Sequence, residues 1–471
     1  MKEKKGILKY FSMPHPYVLL FGLVVVMAIL SWIVPAGQFE KVMVGDREVI
    51  DPSSFKYVAS NPQHLFDVLL AIPEGFKRSQ HISFFLFVTG GAFALINKSG
   101  AIEKALENLV YKLKGKENIV IPIVLFVVGL GGSTIGLSEE TIVFITLSVS
   151  LARAMGYDAL VGVGMIALGA GLGFTSGFMN PFSVGVAQSI AELPTFSGIE
   201  LRLVLFVFVW LSTAIYLMRY ARLIKKDFTK SMMYDEEMAA RKVDTSNEDI
   251  EKDVKLSVRQ KLILLVFFLS FVVIVYGVIV PKWFISEIGA VFLGMGILCA
   301  FIDGQKPGDI ADTFIEGAGE MLYAALVVGL AQSVVVIMEN GIILDTMIHA
   351  LTQSISSLPS YLSAIGIYIV QIIINFFLNS GSGQAAVTMP IMVPLADTLG
   401  VTRQTAVLAF QLGNGFLDSI MPMSGVLMAQ LAIAKIPYKK WFEFSLPLMV
   451  IWLIIGLIFV LYAQFTGYGP F

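Results

Sequence analysis

The chain has 471 residues, 56% apolar and 14% charged, and a mean hydropathy of +0.79. A soluble protein carries roughly 25% charged residues, so this composition excludes a water-soluble fold, and a net charge of −2 offers no basic excess for nucleic acid. One cysteine, Cys299, excludes a disulfide framework, and His15, His64, His81 and His349 lack metal-ligand spacing.

Long unbroken apolar runs predict transmembrane helices rather than the alternating strands of a barrel. The first, 17–35, follows a basic start (Lys2, Lys4, Lys5, Lys9). Its Trp32-Ile33-Val34-Pro35 end is no small-residue cleavage site, so it reads as an anchor with a cytoplasmic N-terminus. Residues 36–80 are polar and turn-rich, an external segment. Apolar segments follow at 82–97, 119–132, 139–152, 160–173, 181–191 and 201–218. The stretch from Arg219 to Lys261 holds 20 of the 68 charged side chains, and its block 219–259 reads as a cytoplasmic linker. Spans at 261–280 and 284–302 come next, then segments at 321–338, 361–378, 385–396, 404–417, 423–434 and 441–464. Several are shorter than the roughly 20 helical residues a bilayer core requires. The short ones come in pairs, as re-entrant hairpins and interrupted helices do.

The two flanks of the linker match. Asn97-Lys98-Ser99-Gly100-Ala101-Ile102 corresponds to Asn340-Gly341-Ile342-Ile343 and its lead-in, and Ser138/Ser382, Gly156/Gly400, Gly169/Gly413 and Gly171/Gly415 share one offset of 244. Each half has a proline at a break, Pro181 and Pro422. Lys98, Lys104, Lys112, Lys114 and Lys116 mark 98–117, whereas 339–360 has no Lys or Arg. The loop before the last span reverses the bias: 191–200 carries Glu192 and Glu200, and 435–440 carries Lys435, Lys439 and Lys440. Equivalent loops on opposite sides mean an inverted-topology repeat, with Arg403 the one discordant charge.

The expected fold is therefore an all-α polytopic membrane protein: an inverted-topology repeat with two re-entrant hairpins (119–152, 361–397) and two broken helices (159–191, 403–434). Its parts are 1–80, anchor and external segment; 81–222, first repeat; 223–259, linker; 260–303, two linking spans; and 304–471, second repeat. Nine crossings leave the N-terminus inside and the C-terminus outside.

The hairpins turn at GGSTIGLSEET (131–141) and NSGSGQAAVT (379–388), beside breaks at GAGLGFTSGFMNPF (169–182) and LGNGFLDSIMPMSG (412–425). Half-helix N-termini there can hold an anion, and unwound carbonyls with Ser, Thr and Asn oxygens suit Na⁺. The plainer reading, that Gly and Ser only permit close helix packing, is accepted for Gly294 and Gly296 but not for four clusters at matched positions. Glu139, Glu140 and Asp418 are the acids at turns or breaks, where a charge is costly and usually functional. No Lys or Arg lies there, which suits a cationic or zwitterionic solute or a proton relay. Glu139 and Glu140 also stand where a carboxylate caps a helix start. GLGGSTIG lacks a phosphate-loop lysine and GAGLG follows no strand, so no nucleotide motif is present and no cofactor is expected. A membrane enzyme or a receptor would need a nucleophile–base pair, a metal set or an effector module, and none is visible.

In GGSTIGLSEET, GFTSGFMNPFSVGVAQ, NSGSGQAAVTMPIMVPLAD and GNGFLDSIMPMSG together, the chain resembles the YfcC-like basic amino acid antiporter/C4-dicarboxylate carrier family of the ion transporter superfamily. The resemblance covers nearly the whole chain. It implies a homodimer in the lipid bilayer, with a scaffold and a mobile part that moves as an elevator. It also implies that Ser133, Thr134, Ser138, Glu139 and Asn180 belong to a first substrate or ion site. Asn379, Ser380, Ser382, Asn414, Asp418 and Ser419 would form a second, and Gln384 lies in the same turn sequence. The Ser-Asn-Thr motif of related sodium-coupled carriers is not matched: the turns read Gly132-Ser133-Thr134 and Asn379-Ser380-Gly381. The expected activity is secondary active transport of amino acids, basic ones first, by arginine/ornithine-type exchange. The alternative is cation-coupled C4-dicarboxylate transport.

Overall fold

The computed structural model describes residues 16–44, 47–112, 117–134, 136–243, 256–281, 283, 285–355 and 358–469. Lys2, Lys4, Lys5, Lys9, His15, Lys114, Lys116, Ile135 and linker residues 244–255 lie outside them.

Helix α1 (Pro16–Ile33) leads into two small antiparallel sheets. Strand β1 (Gly37–Gln38) pairs with β4 (Lys56–Tyr57), and β2 (Lys41–Val44) pairs with β3 (Arg47–Ile50), Lys41 opposite Ile50. Helices α2 (Leu65–Arg78), α3 (Gln80–Asn97), α4 (Ala101–Lys112), α5 (Glu117–Thr134) and α6 (Phe144–Ala154) follow. The region read as a turn-rich external segment thus holds strands and a helix. Asp67 accepts the His64 backbone N–H at 2.8 Å, which caps α2 despite the polar lead-in.

Next come α7 (Ala159–Val163), a π-type turn at Gly164–Leu168, α8 (Gly169–Ser176), α9 (Val184–Ile190) and α10 (Ile199–Lys226). Asp158 caps α7 by accepting Val161 N–H at 3.1 Å. The rod from 159 to 176 stops at Gly177, in the left-handed region at φ 37°, and Pro181 keeps the chain irregular until α9.

Helices α11 (Tyr234–Val243), α12 (Val258–Ile279) and α13 (Ile285–Asp303) lead to a second series. It comprises α14 (Pro307–Glu320), α15 (Leu322–Asn340), α16 (Leu344–Ile355), α17 (Ser360–Phe377), α18 (Gly381–Leu399), α19 (Arg403–Gly415), α20 (Gly425–Ile433) and α21 (Tyr438–Thr466). Among the described residues, six helices are long and apolar enough to cross a membrane: 80–97, 159–176, 199–226, 285–303, 322–340 and 438–466.

Element order and packing repeat. Helix α3 packs on α13 and α14, and α15 packs on α1 and α2. Helix α5 lies on α8 and α10, as α17 lies on α19 and α21. The correspondence reaches back to α1 and α13, whose offset the strands inserted after α1 change, while α2 and α14 keep nearly the offset of the rest.

The interrupted rods α8 and α19 cross at small residues. A Cβ on Gly415 would stand 2.6 Å from the Thr175 hydroxyl oxygen, and a Cβ on Gly171 would collide with the Ser419 hydroxyl. Thr175 and Ser419 share the 244 offset of the two glycines, so the contact is reciprocal. Only glycine allows this approach.

The described part of the linker, up to Val243, clamps one end of the fold. Glu237 is 1% exposed and receives the Arg153 guanidinium at 2.9–3.2 Å and the Ala159 N–H at 3.0 Å. Asp158 accepts the hydroxyls of Tyr220 and Ser231, each at 2.6 Å. Lys440 donates to Glu236 at 2.5 Å. Arg403, the discordant charge, is neutralised by Asp397 (2.9 Å) and Glu192 (2.8 Å).

Candidate functional site

Two helix–turn–helix units, α5–α6 and α17–α18, bring their turns beside the breaks after α8 and α19. A cavity of about 470 Å³ lies between them. Its polar lining includes Ser138, Glu139 and Glu140 from the first turn. Asn379, Ser380 and Ser382 come from the second turn, and Asp418 and Ser419 from the second break. Phe174, Phe182, Ala331 and Met423 add apolar surface.

The three acids are held differently. Glu139 and Glu140 open a 3₁₀ turn (Glu139–Val143) that runs into α6, and Glu140 folds back to accept the Ser138 N–H at 3.1 Å. Glu140 therefore does cap a helix start, as its position in sequence allowed. Asp418 follows the end of α19 and accepts from the Asn379 side chain at 2.7 Å, which ties the second break to the second turn. Both interactions leave carboxylate oxygen capacity toward the cavity.

The second turn begins a long helix. Ser380 caps α18, its hydroxyl accepting Gly383 N–H at 3.3 Å, and Ser380 and Ser382 are exposed to the cavity. The first-turn N–H groups of Gly381 and Ser382 have no intrahelical acceptor, which suits a carboxylate.

Five residues expected at the site do not line this cavity. Ser133 is fully buried and donates to Gly129 O (2.8 Å) and Gly173 O (2.9 Å), fastening α5 to α8. Thr134 back-bonds to Leu130 O at 2.6 Å. Asn180 spends its side chain on Gly132 O and on the N–H groups of Phe182 and Ser183, which shapes the first break. Gln384 is buried behind the second turn, bonded to Gln371 and Asn414. Asn414 donates to Gln384 at 2.9 Å, and its Oδ1 has no hydrogen-bond partner.

Sodium donors are accordingly uneven. The hydroxyls of Ser133 and Thr134 are already engaged with helix carbonyls. Behind the second turn, the side-chain oxygens of buried Asn414 and Asn375 are unpartnered, oxygen chemistry that fits a monovalent cation. Among the described residues no group of three or more His, Cys, Asp or Glu is placed to hold a metal ion.

The cavity also contains residues that the sequence reading did not place there. Arg78, at the end of α2, and His81 line it, together with Gln332 and Gln430. Arg78 is ion-paired with Glu339 of α15 and lies 3.9 Å from Glu74. The acids therefore share the cavity with a basic side chain. Arg78 lies in a stretch with no long apolar run, so hydropathy does not signal its place beside the turns. Gln430 crosses to Thr141 at 2.7 Å, joining α20 to the first unit.

Comparison with known proteins follows from this geometry. The family model DcuC, described as C4-dicarboxylate anaerobic carrier, matches residues 13–465. The chain is 33% identical to the "Putative basic amino acid antiporter YfcC" of Escherichia coli (strain K12), over 97% of each chain. It is 30% identical to an uncharacterized protein of Haemophilus influenzae, over 95% of this chain and 96% of that one. Among solved structures, the YdaH transporter of Alcanivorax borkumensis aligns at 14% identity and TM-score 0.41, over 97% of this chain and all of the other. MtrF of Neisseria gonorrhoeae, from a class of antimetabolite efflux pumps, aligns at 16% identity and TM-score 0.43, over 96% and 95%.

Proposed function

The chain belongs to the DcuC family of membrane transporters, and from that premise we propose that it is a secondary active transporter of basic amino acids, working by arginine/ornithine-type exchange. One observation carries the reading: Glu139, Glu140 and Asp418 open on one cavity in which Arg78, the only arginine among the described lining residues, is already paired with acids. A surplus of carboxylates at depth attracts a guanidinium or ammonium group. The N–H groups of Gly381 and Ser382 attract the solute's own carboxylate into the cavity that Arg78 also lines, whereas the Ser133 hydroxyl is occupied elsewhere. The name of the Escherichia coli relative agrees with this class of substrate.

In this reading α5–α6 and α17–α18 are re-entrant hairpins, the halves are inverted repeats, and the N-terminus is cytoplasmic and the C-terminus external. The reciprocal Gly171/Ser419 and Gly415/Thr175 crossing supports a two-fold relation of the halves. The hairpins and broken helices move together against α3 and α15 as an elevator, in a homodimer.

A second reading, a C4-dicarboxylate carried with cations, is favoured by the start of α18, by Arg78 and by the unpartnered oxygens behind the second turn. Calorimetric titration of the purified protein separates the two. Saturable binding of arginine and ornithine without competition from succinate supports the first reading. Succinate binding in place of arginine binding overturns it.

A further inference from the structure

Arg78 belongs to neither turn and neither break, yet its side chain reaches the cavity that both create. It ends α2, which packs along α15, and the helix restarts after one residue as α3. Its Nη1 donates to Glu339, and its Nε stands 3.9 Å from Glu74. A guanidinium carries five N–H donors in a planar fork, so these acids engage only part of it. The pair is open to water, Arg78 35% exposed and Glu339 43%. An ion pair so exposed adds little to stability, and its exchange for another carboxylate has a low free-energy cost.

These facts set Arg78 apart from a structural staple. It is a planar, permanently charged donor in the cavity wall, suited to two parallel bonds to a carboxylate and held meanwhile by an exchangeable partner. The three acids provide for the positive end of a solute. Nothing else on a side chain among the described lining residues provides a permanent positive charge for its negative end.

We propose that Arg78 reads the carboxylate of the incoming solute, exchanging Glu339 for it, so that the cavity accepts a basic amino acid and rejects the corresponding amine without a carboxylate. The proposal rests on the amino-acid reading above. It makes Arg78 a specificity-determining residue and gives Glu339 the role of a competitor that the solute displaces.

Arginine and agmatine, which is arginine without its carboxylate, test it. Competition with labelled arginine on purified wild-type protein and on Arg78→Gln and Glu339→Gln variants gives the two affinities. Wild type prefers arginine by at least about tenfold. Arg78→Gln weakens arginine about 10- to 100-fold, the cost of a lost charge-assisted bond, and leaves agmatine unchanged. Glu339→Gln strengthens arginine, because its competitor is gone. If Arg78→Gln does not fold, Arg78→Lys keeps the charge but loses the fork, and the preference still narrows. An unaltered arginine/agmatine ratio in the Arg78 variant overturns the proposal. So does a Glu339→Gln variant that weakens arginine as Arg78→Gln does, since a merely structural pair behaves that way. A wild-type protein that binds neither arginine nor ornithine overturns the substrate reading itself, and does so before any variant is made.

Discussion

Replacing Asp418 by asparagine removes one charge and almost no volume. The present Asp418 oxygen accepts from Asn379 at 2.7 Å, and a rotated Asn379 amide can meet the new carboxamide with its own oxygen, so the turn keeps its tie to the break. The main loss is electrostatic. A cationic group about 4 Å from a carboxylate gains about 4 kcal/mol at an effective dielectric of ~20. Glu139 and Glu140 share the cavity and remain, and water reaches the site, so we assign about half of that gain, ~2 kcal/mol, to Asp418. That corresponds to roughly 30-fold weaker arginine binding. Calorimetric Kd values for wild type and Asp418→Asn, with melting temperatures of both, measure it. Arginine affinity within twofold of wild type in a variant with an unchanged melting temperature would refute the electrostatic role of Asp418.

Gly415→Val drives a branched side chain into Thr175 and loses about 1–3 kcal/mol of stability from overpacking. Gly294→Ala, at a site with nothing within 4 Å of the added carbon, leaves the melting temperature in detergent unchanged. Ser133→Ala breaks the link from α5 to Gly173 and lowers stability by about 1 kcal/mol. Its arginine Kd stays at the wild-type value, because the hydroxyl faces α8 and not the solute. Glu237→Ala frees the Ala159 N–H and Arg153. Breaking a fully buried pair costs about 3–5 kcal/mol, but Arg153 is 43% exposed, so screening reduces the expected loss to about 1–2 kcal/mol. Increased proteolysis within 227–243 at constant substrate affinity checks that role.

The architecture was legible wherever backbone chemistry left a mark. Gly171 and Gly415 repeat at a fixed spacing because two rods approach too closely for any side chain. Glu139, Glu140 and Asp418 stood out because a carboxylate among apolar segments needs a reason. Ser133, Thr134 and Asn180 lie off the cavity for a physical cause: a small polar residue at a turn serves the backbone or a solute equally well, and sequence does not say which way it points. Here they satisfy carbonyls and N–H groups of the first turn and break. Arg78 was invisible for the opposite reason. Hydropathy assigns a basic residue after a polar stretch to water, whereas the packing of α2 on α15 carries it to the cavity. The strands after α1 hid the correspondence of α1 with α13, because an insertion changes the offset that reveals a repeat.

Counterflow in proteoliposomes tests the central claim most directly, that this cavity exchanges basic amino acids across a membrane. Vesicles loaded with ornithine, succinate or buffer alone are given external labelled arginine. The account predicts rapid arginine accumulation only in the ornithine-loaded vesicles, reduced by Asp418→Asn. Failure of ornithine to drive arginine entry, with labelled succinate exchanging for internal succinate instead, would contradict it.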